Sequence, residues 1–323
     1  MSVCKNTFSR LTDKCRFDPV LQKWTYYAEV PCGKCTPCKI EIAKEWALRC
    51  CLELPYWNNA IFTTLTYRDS DLPSDYSLHK EHLEKFFNDV RNDLRGENKI
   101  KFLASGEYGS KNFRPHYHAI IFGVGLSNNK RIIGAKDVTY DSVNRILEKN
   151  WTKGNVFNGC VTYNSCRYTA SYVFKKYYDS LRDEVYLQNG LQVPFQKVSN
   201  GLGKSWYQEY GKVTLKRGYI MFNGVKHTIP RYFLKLYEKE GFKADIEQIQ
   251  KNHALDNFAS WYDSYISRLS LELAESPDVI NKMVCSDFES RLQLGEDFKI
   301  RTLIQNGQKA DHAEKANKLF FGV

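Results

Sequence analysis

The sequence predicts an α+β fold in which helices pack on a central, mostly antiparallel β-sheet. Two observations predict the sheet. Ala60–Tyr67 is rich in β-branched and aromatic residues, and a polar loop separates two further β-type segments, 102–107 and 116–122. A third observation predicts the helical layer, because residues 78–95 repeat apolar side chains at helical spacing. The residues expected to face inward are Leu83, Phe86, Phe87, Val90 and Leu94. The order strand, helix, hairpin, helix is typical of an α+β sandwich.

The composition limits the domain count and indicates the kind of partner. With 323 residues and 42% apolar content, the chain can bury one large core or two small ones. Lys and Arg total 47 against 37 Asp and Glu, a formal net charge of +10, and 14% of the residues are aromatic. Such a composition suits single-stranded nucleic acid, which is both anionic and stackable. No segment has the length of a membrane span and no secretion signal follows Met1, so we expect an intracellular protein.

The predicted hairpin carries the first candidate site. Residues two apart in a strand lie on one face, so His116 and His118 direct both imidazoles to the same side of the sheet. Antiparallel pairing would place Glu107 opposite His116 and add a carboxylate oxygen. Two imidazoles and one carboxylate make an open divalent-metal site. A His-x-His pair is more often structural, but the apolar run Ala119–Phe122 indicates a buried strand, where two histidines need a reason.

Seven of the ten cysteines lie before residue 52, and three form a CxxCxxC segment: Cys32, Cys35 and Cys38. Without a secretion signal, metal binding is more typical than disulfides, and this spacing lets three thiolates bind one structural zinc. Residues 39–54 read as a helix, which carries Cys50 about 18 Å beyond Cys38, too far for the same ion. We prefer Cys4 as the fourth ligand, with Cys15 as the alternative. Reduced thiols and an iron–sulfur site also suit the spacing.

The segment 167–178 carries the second candidate site. On a helix, Tyr168 and Tyr172 are four residues apart and share one face, with Lys175 close to it and Lys176 continuing the four-residue step. A phenol is a weak nucleophile until its proton is withdrawn or a cation stabilises the phenolate, as lysines and a bound metal do. In isolation, such a stripe is more typical of packing. Its combination with the histidine pair favours a chemical role.

Three motifs together resemble a known family. FTTLTY at 62–67, GEYG with RPHYHAIIFG at 106–123 and YTASYVFKK at 168–176 resemble, in order and spacing, the motifs of HUH-type rolling-circle replication initiators. The two-tyrosine spacing resembles the replication proteins of microviruses. PCGKCTPC at 31–38 and GLGKSW at 201–206 resemble the gokushovirus branch in particular. The resemblance covers about residues 1–240 and implies an HUH endonuclease core, which is RRM-like.

The resemblance also implies a reaction. A phosphodiester of single-stranded DNA would lie on Mg²⁺ or Mn²⁺ held by His116 and His118, with Glu107 as third ligand. Tyr168 or Tyr172 would attack it, leaving a 5′-phosphotyrosine link and a 3′-hydroxyl that primes synthesis, and the other tyrosine would later rejoin the unit-length strand. Lys175 would stabilise the phenolate or the phosphate. The further residues expected to contact DNA are Thr64, Arg114 and Lys176.

We therefore predict three regions: a Cys-rich zinc knuckle with its helix (1–55), the endonuclease core (56–240) and a helical C-terminal extension (241–323). Gly201–Ser205 resembles part of a phosphate loop, but the first glycine of that pattern would fall at Val198, so we interpret it as a turn and expect no nucleotide cofactor. The sequence has no helicase motif. A host helicase and polymerase are therefore the expected partners, in the cytoplasm of a bacterial cell.

Two other functions use the same features. An HUH transposase or relaxase shares the hairpin, although the knuckle and the downstream residues speak against it. A noncatalytic, zinc-containing protein that binds single-stranded DNA would use the tyrosines to stack on bases. Metal-dependent cleavage that needs the tyrosines separates the enzymes from the binding protein.

Overall fold

The computed structural model describes residues 8–18, 23–30, 32–33, 35–94, 99–109, 112–125, 145–171 and 183–279. The chain divides into two compact units. One unit is Lys39–Tyr210. The other combines the described residues up to Cys38 with those from Gly211 onwards.

The chain begins with a hairpin that the sequence did not predict. Strands β1 (Phe8–Asp18) and β2 (Lys23–Val30) pair antiparallel, and their register shifts between Leu11 and Arg16. Helix α1 (Thr36–Glu53) follows. It confirms the helix expected over 39–54, and it buries the stripe Ala43, Ala47, Leu48, Cys50 and Cys51.

The central sheet has five strands, all paired antiparallel. They are β3 (Ala60–Tyr67), β4 (Lys101–Tyr108), β5 (Pro115–Phe122), β6 (Gly154–Gly159) and β7 (Phe195–Val198). Their spatial order is β6-β3-β5-β4-β7, so β5 lies at the centre. The predicted α+β class, with an antiparallel sheet flanked by helices, is confirmed.

One face of the sheet carries the hydrophobic core. Helix α2 (Lys80–Asp93) packs four fully buried residues into it, Leu83, Phe86, Phe87 and Val90. The ring of Phe87 stacks on Phe102 of β4 with centroids 3.8 Å apart. From β5 this face receives Tyr117, Ala119 and Ile121, because alternate residues of a strand point the same way. The opposite face therefore receives His116 and His118.

The remaining elements flank the sheet or belong to the other unit. Helices α3 (Arg145–Asn150) and α4 (Tyr163–Ser171) lie on either side of β6 in the chain. Short helical turns follow at Lys204–Trp206 and Lys212–Leu215. The predicted Asn223-Gly224 turn joins β8 (Ile220–Phe222) to β9 (Val225–His227), with both turn residues at positive φ.

Two helices close the described chain, α5 (Arg231–Lys239) and α6 (Lys243–Leu273). Tyr237 of α5 stacks on Phe242, with ring centroids 4.5 Å apart, and donates a 2.6 Å hydrogen bond to Asp245. The expected helical extension is therefore observed as one 31-residue helix up to Leu273, and residues 280–323 lie outside the described part. No helix in the described residues is both long and apolar enough to cross a membrane.

A chain of hydroxyl groups runs behind β5 on the core face. The Tyr117 hydroxyl donates to the carbonyl of His79 at 2.9 Å and lies 2.7 Å from the Tyr67 hydroxyl, which lies 2.7 Å from Nδ1 of His82. Since Tyr117 donates its proton to the carbonyl, Tyr67 donates to Tyr117 and accepts from Nδ1–H of His82. The neutral Nδ1–H tautomer of His82 satisfies every hydroxyl in this chain.

This arrangement makes stability depend on pH through His82. Burial, with the nearby positive charge of Lys153, lowers the pKa of His82 from 6.5 to about 4. Above 6.5 both folded and unfolded chains hold the ring neutral. As the pH falls from 6.5 towards 4, the unfolded chain binds a proton that the folded chain does not, so the free energy of unfolding decreases.

We expect this loss to be smaller in His82→Asn, whose side-chain N–H replaces Nδ1–H but does not titrate. Urea denaturation at a series of pH values between 6.5 and 4 gives both profiles. The other titrating groups are common to the two proteins, so the difference between the profiles reports His82. Parallel profiles would contradict the assignment.

Candidate metal and nucleophile site

Two neighbouring strands bring three metal-ligand side chains together. Glu107 of β4 lies directly opposite His116 of β5, and His118 follows two residues later on the same face. The Nε2 atoms of His116 and His118 lie 2.9 and 3.3 Å from Oε1 of Glu107. One ligand atom from each residue lies within 4.8 Å of the other two. Glu107 and His118 are buried, whereas His116 is half-buried and opens the site to solvent.

The hydrogen bond behind His116 shows that this donor set fits a cation. Nδ1 of His116 lies 3.1 Å from the carbonyl oxygen of Arg114. A carbonyl only accepts, so Nδ1 carries the proton and Nε2 of the neutral ring is a lone pair. That lone pair faces a carboxylate oxygen 2.9 Å away. Two acceptors at this distance need a proton or a cation between them, and imidazole with carboxylate suits a divalent cation.

Thr64 orients the second histidine. It lies opposite His118 across the β3–β5 pair, with Oγ1 2.9 Å from Nδ1 of His118. Donation from Nδ1 to this hydroxyl directs the Nε2 lone pair into the cluster, a role that outer partners commonly play at metal sites. The sequence suggested Thr64 as a DNA contact and missed this bond. The alternation of FTTLT along β3 was the available signal, since it puts Thr64 on the face of the histidines.

The two rings also determine the charge of Glu107. Burial opposes ionisation of the carboxyl, but the hydrogen bonds and charges of His116 and His118 outweigh burial and hold the pKa of Glu107 below its ordinary value. Glu107 is therefore a carboxylate at neutral pH. A buried carboxylate between two imidazoles is an attractive position for a dication.

Helix α4 places a tyrosine over this site. Thr162 and Ser165 cap its first turn reciprocally: the amide of Ser165 donates to Oγ1 of Thr162 at 3.1 Å, and the amide of Thr162 donates to Oγ of Ser165 at 2.8 Å. One turn later, the ring of Tyr168 meets His118 edge-on at 5.2 Å and Phe62 at 6.2 Å between centroids. Burial, reinforced by the charge of Glu107, raises the pKa of Tyr168 to about 12.

Comparison with known proteins gives one consistent family. The family model for replication-associated proteins of the ORF2 type matches residues 60–177, which contain β3 to α4. The chain is 33% identical over 261 residues to replication-associated protein VP4 of Bdellovibrio phage phiMH2K, covering 76% of this chain and 74% of that protein. It is 33% identical over 225 residues to replication-associated protein ORF2 of Spiroplasma virus 4, covering 65% and 68%.

A third relative is replication-associated protein ORF4 of Chlamydia phage 1, 32% identical over 218 residues, with 65% of this chain and 54% of that protein covered. No solved structure matches the chain. The chain belongs to the phage replication-associated proteins. The resemblance read from the motifs is thus confirmed at the level of the family.

Several residues expected to act in this family member lie outside the described part of the chain. They are Cys4, Tyr172, Lys175 and Lys176. Arg114, an expected DNA contact, is described. Its guanidinium donates to Asp69 at 2.5 Å and to the carbonyl of Tyr67 at 2.7 Å, beside the loop that leads into β5. It remains a predicted DNA contact.

The cysteine knuckle forms a second cluster. The Sγ atoms of Cys32, Cys35 and Cys38 lie within 4.8 Å of one another. The amide of Cys35 donates to Sγ of Cys32 at 3.3 Å, an interaction that stabilises a thiolate. Three converging sulfurs fit a tetrahedral metal that takes a fourth ligand from elsewhere.

The Gly201–Ser205 segment is organised by a buried carboxylate. Glu53, at the end of α1, accepts from the amide of Gly203 at 2.6 Å through one oxygen and from Lys101 at 2.6 Å through the other. Arg49 donates twice to the carbonyl of Leu202. The amide that a phosphate loop would offer to an anion is thus already bound, which agrees with the interpretation of this segment as a turn.

The contact between Thr64 and His118 predicts an effect on metal affinity. Thr64→Val removes the hydroxyl and keeps the shape, so the His118 ring loses its orienting partner. We expect Mn²⁺ to bind about 10- to 100-fold more weakly, the range for removed outer partners of metal ligands. A titration followed by electron paramagnetic resonance of free Mn²⁺ measures this.

The matched control is Thr63→Val, which makes the same change on the opposite face of β3, where Thr63 is also buried. It should bind Mn²⁺ like the wild type. Equal Mn²⁺ affinity of Thr64→Val and wild type would remove Thr64 from the site.

Proposed function

We propose that this protein is a replication initiator that nicks single-stranded DNA at an origin and later rejoins it, with Tyr168 or Tyr172 as nucleophile. The observation that carries this proposal is the contact between Tyr168 and His118, with ring centroids 5.2 Å apart. It brings a phenol to the metal-type cluster on one face of the sheet. A histidine pair on a central strand with a tyrosine helix above it supports an HUH endonuclease core.

The side chains divide the work. Glu107, His116 and His118 would hold Mg²⁺ or Mn²⁺, and Thr64 keeps the His118 ring in place. When bound, the cation would polarise a phosphate oxygen and offset the carboxylate charge that opposes phenolate formation. The high pKa of Tyr168 keeps its phenol protonated at neutral pH, so without that offset the nucleophile stays weak.

The cleavage step is a transesterification. The phenol oxygen attacks phosphorus, a Tyr–O–P bond forms, and the P–O3′ bond breaks. The phenol proton is lost as the new bond forms, and the departing 3′-oxygen gains a proton to become a hydroxyl, so protons balance overall. The link keeps the phosphate as an ester, and the reverse reaction with another 3′-hydroxyl therefore reseals a strand without an external energy source.

Other parts of the proposal rest on the family resemblance. The second tyrosine would cut after one round and release a unit-length circle, and Lys175 would stabilise the phenolate or the phosphate. Lys176 and Arg114 would contact the DNA. A host helicase would unwind the duplex ahead of a host polymerase that extends the 3′-hydroxyl.

We expect a covalent protein–DNA adduct when the protein is incubated with Mn²⁺ and end-labelled single-stranded oligonucleotides that tile its own replicon. The adduct should survive denaturing electrophoresis, because it is an ester, and should be absent with a chelator. Tyr168→Phe and Tyr172→Phe should each show which phenol cuts first, and the double variant should form none. His118→Ala should also abolish the adduct.

The matched control is Tyr163→Phe, which removes a phenol from the same helix outside the tyrosine pair. It should form the adduct normally. Tight oligonucleotide binding by the wild type, without an adduct anywhere in the tiling, would favour the noncatalytic binding protein instead.

We also propose that Cys32, Cys35 and Cys38 bind a structural zinc with Cys4 or Cys15. The convergence of the three sulfurs supports this proposal. Elemental analysis of the purified protein should find one zinc per chain, and Cys38→Ser should lose most of it, because a site with too few thiolates binds zinc weakly.

Cys160→Ser is the control, since Cys160 is a free thiol outside the knuckle. It should retain the zinc. Comparing Cys4→Ser with Cys15→Ser identifies the fourth ligand. Iron and sulfide in the protein, with visible absorption, would replace zinc by the iron–sulfur alternative.

A further inference from the structure

The face of the sheet that carries the metal-type cluster continues onto β6, where it presents an exposed aromatic ring. In the antiparallel register, Phe157 lies opposite Thr64, and Thr64 lies opposite His118. Directly opposite residues point to the same face, so these three side chains form one row across β6, β3 and β5. Neighbouring strands are about 4.8 Å apart, so Phe157 lies about 10 Å from His118 along that row.

Phe157 is exposed where its neighbours are not. Its side chain is 51% exposed, and it is the only strongly exposed large apolar residue on the five-stranded sheet within the described residues. None of the described rings stacks on it. A single exposed apolar side chain is ordinary on a protein surface. The position, beside the cluster and on its face, distinguishes this one.

The adjacent positions leave the ring accessible. Asn155, the other residue of β6 that points to this face, is also exposed, and Gly159 has no side chain. On the far side of Thr64, Tyr168 and Phe62 cover His118. The face therefore has a covered half under α4 and an open half at β6, with the metal-type cluster between them.

We infer that Phe157 is a stacking platform for a base of the single-stranded DNA next to the phosphate that is cut. This inference rests on the proposed nicking function, because that function places a phosphodiester at the cluster. A planar apolar ring one nucleotide's reach from that phosphate suits the face of a nucleobase. Every base has such a face, so the platform tolerates any sequence. Stacking there fixes the strand direction relative to Tyr168.

The test measures binding separately from cutting. Fluorescein-labelled oligonucleotides from the replicon tiling are titrated by anisotropy at constant salt with Mn²⁺, using Tyr168→Phe/Tyr172→Phe protein so that no strand is cut. In this background, Phe157→Ala should weaken binding about 5- to 150-fold, the range for loss of one base–aromatic stack. Phe157→Tyr should keep the affinity, and Phe157→Leu should not restore it.

A second readout locates the base. One 2-aminopurine placed at successive positions along the tightest-binding oligonucleotide should be quenched at one position by protein with Phe157, and not by Phe157→Ala. The matched control is Tyr210→Ala, which removes an aromatic ring that is 50% exposed in the same unit, away from the sheet. It should bind like the parent. Thermal unfolding should be unchanged, since Phe157 is exposed.

The outcomes separate this inference from the proposed function. Equal affinity of Phe157→Ala and parent, with the adduct still formed by otherwise wild-type protein, overturns the stacking platform and leaves the nickase. Loss of binding on Phe157→Ala without any adduct supports the platform and overturns the nickase. No oligonucleotide binding by any variant overturns both. Concentration-dependent self-association that Phe157→Ala abolishes would assign the ring to a second copy of this chain and overturn the inference.

Discussion

The register of β5 between β3 and β4 is the constraint on which the site depends. Side chains alternate along a strand, so a slip of one residue would send His116 and His118 into the core and Tyr117 out of it. The core face opposes such a slip strongly. Tyr117 is fully buried there, and its hydroxyl bonds to Tyr67 and to the backbone of His79. The network behind the strand therefore fixes what the strand presents in front.

The site in front of that strand is electrostatically costly as it stands. It holds a buried carboxylate, a half-open imidazole whose lone pair faces it, and a phenol whose pKa that same carboxylate raises. Each of these contacts is less favourable without a positive charge at the centre of the cluster. A site built to gain from a cation is poorly balanced without one, and core burial elsewhere in the fold offsets the cost.

The sequence predicted the features that depend on local periodicity and on pairing across a short loop. The strands around Glu107 and His116 and the helix over 80–93 were evident from alternation and helical spacing, and the opposition of Glu107 to His116 followed from the hairpin. What it missed depends on contacts distant in sequence. Glu53 binds the amide of Gly203, 150 residues away, and nothing in either segment indicates its partner. Thr64 and Phe157 gain meaning only once β3 is known to lie between β5 and β6.

The same topology explains why the nucleophile helix is well placed for its proposed role. β6 and α4 are joined by only three residues, so the open ring of Phe157 and the phenol of Tyr168 belong to one continuous segment of chain. That segment is fixed at one end by the β3–β6 ladder. At the other end, α4 buries Cys166, Thr169 and Ala170, and the Cys166 thiol forms hydrogen bonds with Cys50 and Cys51 of α1. Holding a nucleophile between two such anchors reduces the positional freedom that in-line attack on a phosphate has to overcome.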